Sequence, residues 1–255
     1  MKRLGFGIII LAAGKGKRMK NPDLPKVLAE VSGRPLIRYV VKKSENLHPD
    51  KLVVVVGHHK QKVIDFIRSM GYSNVDYAEQ DEQLGTGHAV MQAKPFFDDF
   101  NGNILILLGD VPLLRSETIM KLLGNHERYK SDLSVLTAKA RDPEGYGRIV
   151  RDENREFVKI VEEKDASEEE KKIKEINGGI FYGDAKLLFD SLEQVSNKNA
   201  QGEYYLTDII EIAIEKGKKV NAFMDAEFDE LQGVNTPGDL SKVQINYMKY
   251  YGLRS

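Results

Sequence analysis

Apolar and amphipathic stretches alternate along the first 140 residues of the chain. Runs such as KLVVVVG and NILILLG are apolar throughout, which is typical of parallel strands that are buried on both faces. We predict strands over residues 5–11, 52–57, 75–78, 104–108 and 133–138. The amphipathic stretches predict helices over residues 35–46, 60–70, 86–94 and 116–130. This alternation indicates an open, doubly wound α/β sheet, whose ligands bind beyond the carboxyl ends of its strands.

The pattern changes after residue 141, where short apolar runs follow one another without long helices between them. Strands are predicted over residues 147–151, 157–161 and 176–182, and we interpret residues 141–225 as a small lobe inserted near the edge of the sheet. Ser167 followed by Glu170 predicts a capping box on a short exposed helix. Two further helices are predicted over residues 207–216 and 237–250, the second capped by Thr236.

Composition narrows the class of protein. The formal net charge of −1 argues against a nucleic-acid binder, and the lack of cysteine excludes disulfides, thiolate metal sites and cysteine nucleophiles. No apolar stretch approaches the ~18 residues of a membrane span, and the N-terminal run GFGIII is too short for a signal peptide. We therefore expect a cytoplasmic protein that contacts neither nucleic acid nor a membrane.

The stretch LAAGKGKRM, at residues 11–19, follows the first predicted strand, where a ligand is expected. It does not fit a P-loop, because no Ser or Thr follows a Gly-Lys pair. It does not fit a dinucleotide fingerprint, because Met19 replaces the third glycine and Pro22 blocks an immediate helix. The remaining interpretation is a flexible basic loop that binds a triphosphate, whose glycines let backbone N–H groups approach the phosphates. A basic surface turn without a ligand is the alternative.

Other motifs along the chain are more specific than this loop. They are LPKVL, AEQDEQLGTGHA, LGDVPLL, GYGRIV, IVEEKDA, EING, GEYYLTDII and GVN. With LAAGKGKRM they resemble the sugar-phosphate nucleotidyltransferases, and among them the bacterial N-acetylglucosamine-1-phosphate uridyltransferases. The resemblance covers essentially the whole chain. It implies a Rossmann-like mixed sheet of the nucleotide-diphospho-sugar transferase type, with a sugar-binding lobe at about residues 141–225.

The resemblance also implies where the domain ends. We expect a nucleotidyltransferase domain over residues 1–236, followed by a C-terminal helix over residues 237–255. The bifunctional members of the family continue into hexapeptide repeats that carry acetyl transfer and trimerisation. No such repeats occur in this sequence. We therefore expect no acetyltransferase activity, and the oligomeric state stays open.

The reaction implied by the resemblance converts UTP and N-acetylglucosamine 1-phosphate into UDP-N-acetylglucosamine and pyrophosphate, with Mg²⁺ as cofactor. Because the sugar phosphate already carries its nucleophilic oxygen, no general base is needed, and an in-line displacement relies on positioning and charge neutralisation. By resemblance, Lys15 and Arg18 contact the β- and γ-phosphates, Lys26 lies at the α-phosphate, and Asp110 and Asn235 bind Mg²⁺. Without the resemblance, Asp110 would be read as a turn residue and Asn235 as a helix cap.

The resemblance assigns two further sets of residues. The nucleotide-binding set is Leu11, Ala12, Ala13, Gly14, Gln80, Gly85, Thr86, Gly109 and Asp110. The sugar-binding set is Gly147, Glu162, Asn177, Tyr205, Thr207 and Asn235. The Gln80 amide is expected to offer both a donor and an acceptor to uracil, although Gly85-Thr86-Gly87 alone would be read as a tight turn with an N-cap. His88, in the helix that follows, is expected to pack or cap.

Two positions depart from the family pattern, and two alternative functions stay open. Leu108 stands where Tyr is frequent, and Gly178 stands where Thr is commoner, which leaves the fine sugar specificity uncertain. The first alternative is a nucleotidyltransferase that uses another sugar 1-phosphate or dTTP. The second is a catalytically inactive, nucleotide-binding regulatory subunit.

Overall fold

The computed structural model describes residues 4–19, 21, 23–72 and 74–252, so Pro22 and the end of the predicted 237–255 segment lie outside the described residues. The strands are β1 (Gly5–Ala12), β2 (Glu30–Val31), β3 (Arg34–Pro35), β4 (Lys51–Val56), β5 (Val75–Glu79), β6 (Gly102–Leu108), β7 (Leu133–Lys139), β8 (Arg148–Arg151), β9 (Phe157–Val161), β10 (Glu175–Asp184) and β11 (Val220–Phe223). The helices are α1 (Leu36–Glu45), α2 (Lys60–Ser69), α3 (Thr86–Gln92), α4 (Ser116–Tyr129), α5 (Ala185–Leu192), α6 (Ile209–Glu215) and α7 (Pro237–Tyr251).

A nine-stranded mixed sheet forms the centre of the fold, with the order β11-β7-β10-β6-β1-β4-β5 and the β8–β9 hairpin attached to β10. Strands β6, β1, β4 and β5 are parallel neighbours, whereas β10 runs antiparallel between β6 and β7. One apolar cluster on each face buries this sheet, with α1, α2 and α4 on one side and α3, α5 and α6 on the other. The predicted doubly wound α/β architecture is confirmed.

We predict the strand over residues 176–182 as part of a lobe near the edge of the sheet, and this part of the prediction is wrong. Strand β10 lies inside the sheet, where Phe181 and Tyr182 pair with both β6 and β7. A register shift between Asn177 and Ile180 marks a bulge, and bulges bend a strand. Before the bulge, residues 175–177 still pair with β7, and Ile176 also pairs with Arg148 of β8 on its other side. One strand thus connects the sheet to the smaller lobe.

The local signals at helix ends are largely confirmed. Ser167 and Glu170 make both reciprocal capping hydrogen bonds, although the helix they begin is a single 3₁₀ turn, Glu170–Lys172. Thr236 caps α7 as predicted, with Pro237 in the first turn. The helix predicted over residues 207–216 begins with a 3₁₀ turn, Leu206–Asp208, before α6.

The close approach of β1 and β6 yields a stability prediction at Gly102. A Cβ atom there would lie 2.0 Å from the backbone oxygen of Gly5, so any side chain would push the two strands apart. We expect Gly102→Ala to lower the free energy of unfolding by about 3 kcal/mol. The matched control is Gly124→Ala in α4, where nothing lies within 4 Å of the added Cβ and where alanine should add about 1 kcal/mol of stability. Urea unfolding measures both changes, and equal midpoints for Gly102→Ala and the unmodified protein would contradict the packing described.

Candidate active site

Two adjoining cavities open at the carboxyl edge of the sheet, where the loops after β1, β5 and β6 meet the lobe. The basic cavity, about 590 Å³, is lined by the LAAGKGKRM loop and by Lys26. The lobe cavity, about 570 Å³, is lined by residues of the smaller lobe and the start of α7. Both cavities share the walls formed by Leu11, Arg18, Thr86, Leu108, Asp110 and Asn235. The edge position is the one that an open α/β sheet predicts for a ligand.

Three side chains that are distant in the sequence meet at the junction of the two cavities. The Lys26 ammonium forms an ion pair with Asp110 Oδ2 and donates a 2.9 Å hydrogen bond to Asn235 Oδ1. The backbone supports this arrangement, since Val234 N donates to the Asp110 carbonyl at 3.1 Å. Asp110 follows β6, and Asn235 precedes the cap of α7. The two predicted metal ligands therefore face one point, and a cationic group occupies it.

Asp110 does lie in a turn, where Val111 N donates to the Leu108 carbonyl at 3.2 Å, but Asn235 does not cap a helix. Thr236, not Asn235, caps α7, and the Asn235 side chain accepts from Lys26 instead. Asp110 is paired with Lys26, and its side chain is only 13% exposed.

The donor set at the junction fits a magnesium ion. One carboxylate oxygen and one amide oxygen already converge on a cation, and both are hard ligands. Among the described residues there is no cluster of three or more His, Cys, Asp or Glu side chains able to hold a metal. A site with only two protein ligands suits Mg²⁺, which keeps waters or substrate phosphates in its other positions.

The basic cavity gathers positive charge around its mouth. Lys15, Lys17 and Arg18 are exposed and line it, while Lys26 is partly buried in its floor. The side chains of these three outer cations are exposed on the segment that follows β1, so their charged ends can contact an anionic ligand while they remain in solvent. This side of the cavity is suited to a polyphosphate.

The opposite wall of the basic cavity carries polar groups from β5 and α3. Gln80 is buried, and its Nε2 donates to the Gly85 carbonyl at 3.1 Å and lies 3.1 Å from His88 Nδ1. Gly85 is the N-cap of α3, and the Thr86 hydroxyl accepts from Leu206 N at 3.1 Å rather than capping the helix. His88 therefore contacts the Gln80 side chain instead of serving as a cap.

The lobe cavity presents hydrogen-bonding groups from several strands. Thr207 Oγ1 donates to Glu162 Oε1 at 3.0 Å, and Asn177 Oδ1 accepts from Gly179 N at 2.9 Å. The backbone at Gly147 is closely packed in this wall, because a Cβ there would lie 3.0 Å from Ile160 and 3.4 Å from Asn177. Paired donors and acceptors of this kind suit a ligand that is rich in hydroxyl groups.

Most of the predicted site residues line one of the cavities, and three do not. Ala12 packs into the apolar cluster below the sheet edge, and Gly109 N donates to the Leu11 carbonyl. Tyr205 is buried, and its hydroxyl donates to Asp165 Oδ2 at 3.0 Å, outside both linings. A direct ligand contact by the Tyr205 side chain is therefore not what the structure shows.

Other residues line the cavities without having been predicted. Gln83 and Glu203 line the basic cavity, and they lie within the motifs AEQDEQLGTGHA and GEYYLTDII, respectively. Tyr146 and Lys242 belong to the lobe cavity. Lys242 comes from α7, and nothing in the spacing of that helix indicated that it faces the site.

Several acidic groups lie near Glu162, which lines the lobe cavity. Burial raises the pKa of Glu162, the hydrogen bond from Thr207 lowers it, and the charges of Asp165 and Glu203 raise it again. Burial together with the charges of Glu162, Glu211 and Asp165 raises the pKa of Asp208 to about 6. Ionised Asp208 therefore destabilises the folded state.

This arrangement predicts a pH-dependent gain in stability for Asp208→Asn. The unfolded chain ionises Asp208 near its ordinary pKa of 3.8, whereas the folded chain does so at about 6. The destabilisation is thus absent below pH 3.8, grows between the two values and is complete above pH 6. We expect Asp208→Asn to melt at a higher temperature than the unmodified protein at pH 8 and at the same temperature near pH 3.8. Glu153→Gln, at an exposed position, controls for the loss of one charge. A lower melting temperature for Asp208→Asn at pH 8 would contradict this account.

Solved structures share this fold. A UDP-glucose pyrophosphorylase complexed with UDP-glucose superposes with a TM-score of 0.79 at 18% identity, over 97% of this chain and 100% of that chain. A putative glucose-1-phosphate thymidylyltransferase from Bacillus anthracis superposes with a TM-score of 0.75 at 24% identity, over 94% of each chain. These likenesses confirm the predicted fold type.

Sequence relatives are considerably closer. The Bifunctional protein GlmU of Streptococcus mutans is 47% identical over 236 residues, which is 92% of this chain and 50% of that protein. The protein of the same name from Bacillus licheniformis is 46% identical over 241 residues, 94% of this chain and 52% of its own length. The chain thus spans about half the length of the curated relatives it matches.

No helix among the described residues is long and apolar enough to cross a membrane.

The sequence profile of the nucleotidyl transferase family matches residues 8–230. This match, together with relatives at 46–47% identity, shows that the chain belongs to the nucleotidyl transferase family.

Proposed function

We propose that this protein transfers the uridylyl group of UTP to N-acetylglucosamine 1-phosphate, releasing pyrophosphate. The observation that carries the proposal is the meeting of Lys26, Asp110 and Asn235 where the basic cavity joins the lobe cavity. A nucleotidyl transfer needs a polyphosphate site and a sugar-phosphate site that share one reacting point. The two GlmU relatives support the choice of substrates over another sugar 1-phosphate or dTTP.

The triphosphate lies in the basic cavity in this proposal. Lys15 and Arg18 neutralise the β- and γ-phosphates, which depart together as pyrophosphate. Uracil lies against Gln80 and the start of α3, and the backbone after β1 lies alongside the nucleoside. The N-acetylglucosamine lies in the lobe cavity, where Glu162, Asn177 and Thr207 offer acceptors and donors to its hydroxyl and acetamido groups.

The chemical step is a single displacement at the α-phosphorus. An oxygen of the sugar phosphate forms a new bond to that phosphorus while the bond to the oxygen bridging the α- and β-phosphates breaks. No proton has to move, since the attacking phosphate oxygen is already ionised. Lys26 stabilises the charge that develops on the α-phosphate. Its pairing with Asp110 and Asn235 holds the ammonium at the junction, from which it would move onto a phosphate oxygen when those two side chains bind a metal.

The metal in this proposal is Mg²⁺, with Asp110 and Asn235 as its protein ligands. When bound there, it would supply a second positive charge against the phosphate oxygens. Family membership supports a divalent cation, and the two convergent oxygens support its location. The substrates are small molecules, and a reaction that consumes UTP suits a protein of the cytoplasm.

Pyrophosphate release tests the proposed reaction. UTP with N-acetylglucosamine 1-phosphate and Mg²⁺ should release pyrophosphate, whereas ATP, CTP, dTTP or glucose 1-phosphate in place of one partner should give little. Release with a different pair would replace the proposed substrates. Nucleotide binding without release for every pair would favour an inactive regulatory subunit.

Two cations of the site should be required for turnover. We expect Lys26→Ala and Arg18→Ala each to lower kcat by about 10²–10³-fold, because each removes a charge placed against a phosphate. Lys186→Ala, whose side chain is 81% exposed on α5, is the matched control and should leave kcat unchanged. Circular dichroism is the control for folding, and each variant should give the spectrum of the unmodified protein. Turnover by Lys26→Ala and Arg18→Ala at the rate of the control would refute these roles.

A further inference from the structure

One buried carboxylate near the candidate active site has no part in the reaction proposed above. Glu230 is 2% exposed and belongs to the 3₁₀ turn Phe228–Leu231. Its Oε2 accepts from Arg115 N at 2.9 Å and from Thr118 Oγ1 at 2.7 Å, and its Oε1 accepts from the Arg115 guanidinium and from Glu227 N at 3.2 Å. Burial raises the pKa of Glu230, but these hydrogen bonds lower it by more, so its pKa lies below the ordinary value. The protein thus holds this carboxylate in its ionised form.

Glu230 connects the two parts of the chain that carry the proposed metal ligands. The turn after β6 leads from Asp110 into α4, and the segment before α7 ends at Asn235. At the junction of the cavities, Val234 N donates to the Asp110 carbonyl at 3.1 Å and joins the turn to the segment. Away from the junction, the hydrogen bonds of Glu230 join the same segment to the start of α4. The segment is therefore attached to the turn at two places.

The turn after β6 is also held from another side, by α1. The Lys43 ammonium donates to the Leu114 carbonyl and lies 3.4 Å from the Pro112 carbonyl oxygen. Burial lowers the pKa of Lys43 to about 8, and the charges of Glu230 and Glu117 raise it. Because Lys43 holds the turn against α1, loss of the Glu230 hydrogen bonds would release the segment before α7 and leave the turn in place.

We propose that Glu230 is a positioning residue that sets the separation of Asp110 and Asn235 and thereby forms the metal site between them. Glu230 lines neither cavity, so it acts through the backbone and not on a ligand. Mg²⁺ demands near-ideal octahedral geometry, and a site with only two protein ligands depends strongly on the spacing of those ligands. The proposal rests on the proposed function, in which Mg²⁺ binds to these two side chains.

Two substitutions break the hydrogen bonds of Glu230 to different extents. Glu230→Gln keeps the shape of the side chain, but in either orientation its NH₂ group faces two donors that now meet a carboxylate oxygen. Thr118→Val is milder, because it removes only the hydroxyl that donates to Oε2. Leu187→Ala is the control for lost stability, since Leu187 is buried in α5 on the opposite face of the sheet.

Isothermal titration calorimetry of UTP, once in Mg²⁺ and once in EDTA, measures the contribution of the metal without requiring turnover. Mg²⁺ should raise the UTP affinity of the unmodified protein. In Mg²⁺, we expect Glu230→Gln to lower the UTP affinity by about tenfold and Thr118→Val by about threefold, whereas in EDTA both should stay within about twofold of the unmodified protein. Leu187→Ala should lower the melting temperature and leave both affinities unchanged.

A general structural defect would weaken UTP binding equally in Mg²⁺ and in EDTA, and that result for Glu230→Gln would overturn the role of Glu230. Unchanged affinities, or an unmodified protein whose UTP affinity does not respond to Mg²⁺, would overturn it as well. If Glu230→Gln does not fold, the same comparison with Thr118→Val decides. The expected losses without pyrophosphate release from any substrate pair would refute the proposed function and leave the role of Glu230 standing. Absence of UTP binding by the unmodified protein would refute both.

Discussion

The shared ammonium of Lys26 is the interaction on which the site depends. It joins Asp110 and Asn235, which lie 84 and 209 residues away along the chain. A partly buried carboxylate is costly in free energy when it is unpaired, so removing Lys26 would leave the Asp110 charge without its partner at the junction of the two cavities. The same three groups connect the Lys26–Leu28 turn, the turn after β6 and the segment before α7. In the proposed function, their geometry therefore connects the stability of the fold to the position of the reaction.

The sheet makes this meeting possible through the direction of its strands. Strands β1 and β6 are parallel neighbours, so the basic loop after β1 and Asp110 after β6 leave the same edge. The bulge in β10 then brings Asn177 beside Gly147 in the lobe, where Asn177 N donates to the Gly147 carbonyl at 2.9 Å. Backbone pairing between the 84–87 turn and Tyr204 links the 204–206 segment to the wall of the basic cavity that carries Gln80. One connected set of backbone bonds thus joins the walls of the two cavities.

Sequence patterns predict the parts of this structure that depend on local chemistry. The apolar strands, the cap at Thr236 and the basic loop follow from residue types and spacing. The position of β10 does not follow from residue types and spacing, because an antiparallel strand inserted between β6 and β7 depends on pairing partners that are distant in the sequence. The orientation of Tyr205 toward Asp165 and the use of the Gln80 amino group by Gly85 are equally invisible in a single sequence. The convergence of Asp110 and Asn235 was expected through resemblance alone, since 125 residues separate them.

In the proposed function, one point between the two cavities holds both the metal and the reacting phosphate. Anomalous diffraction from a crystal grown with UTP and Mn²⁺ measures this directly. We expect a manganese peak in contact with both Asp110 and Asn235, with the Lys26 ammonium moved onto a phosphate oxygen. A manganese peak remote from both side chains, with Lys26 still paired to Asp110, would contradict it.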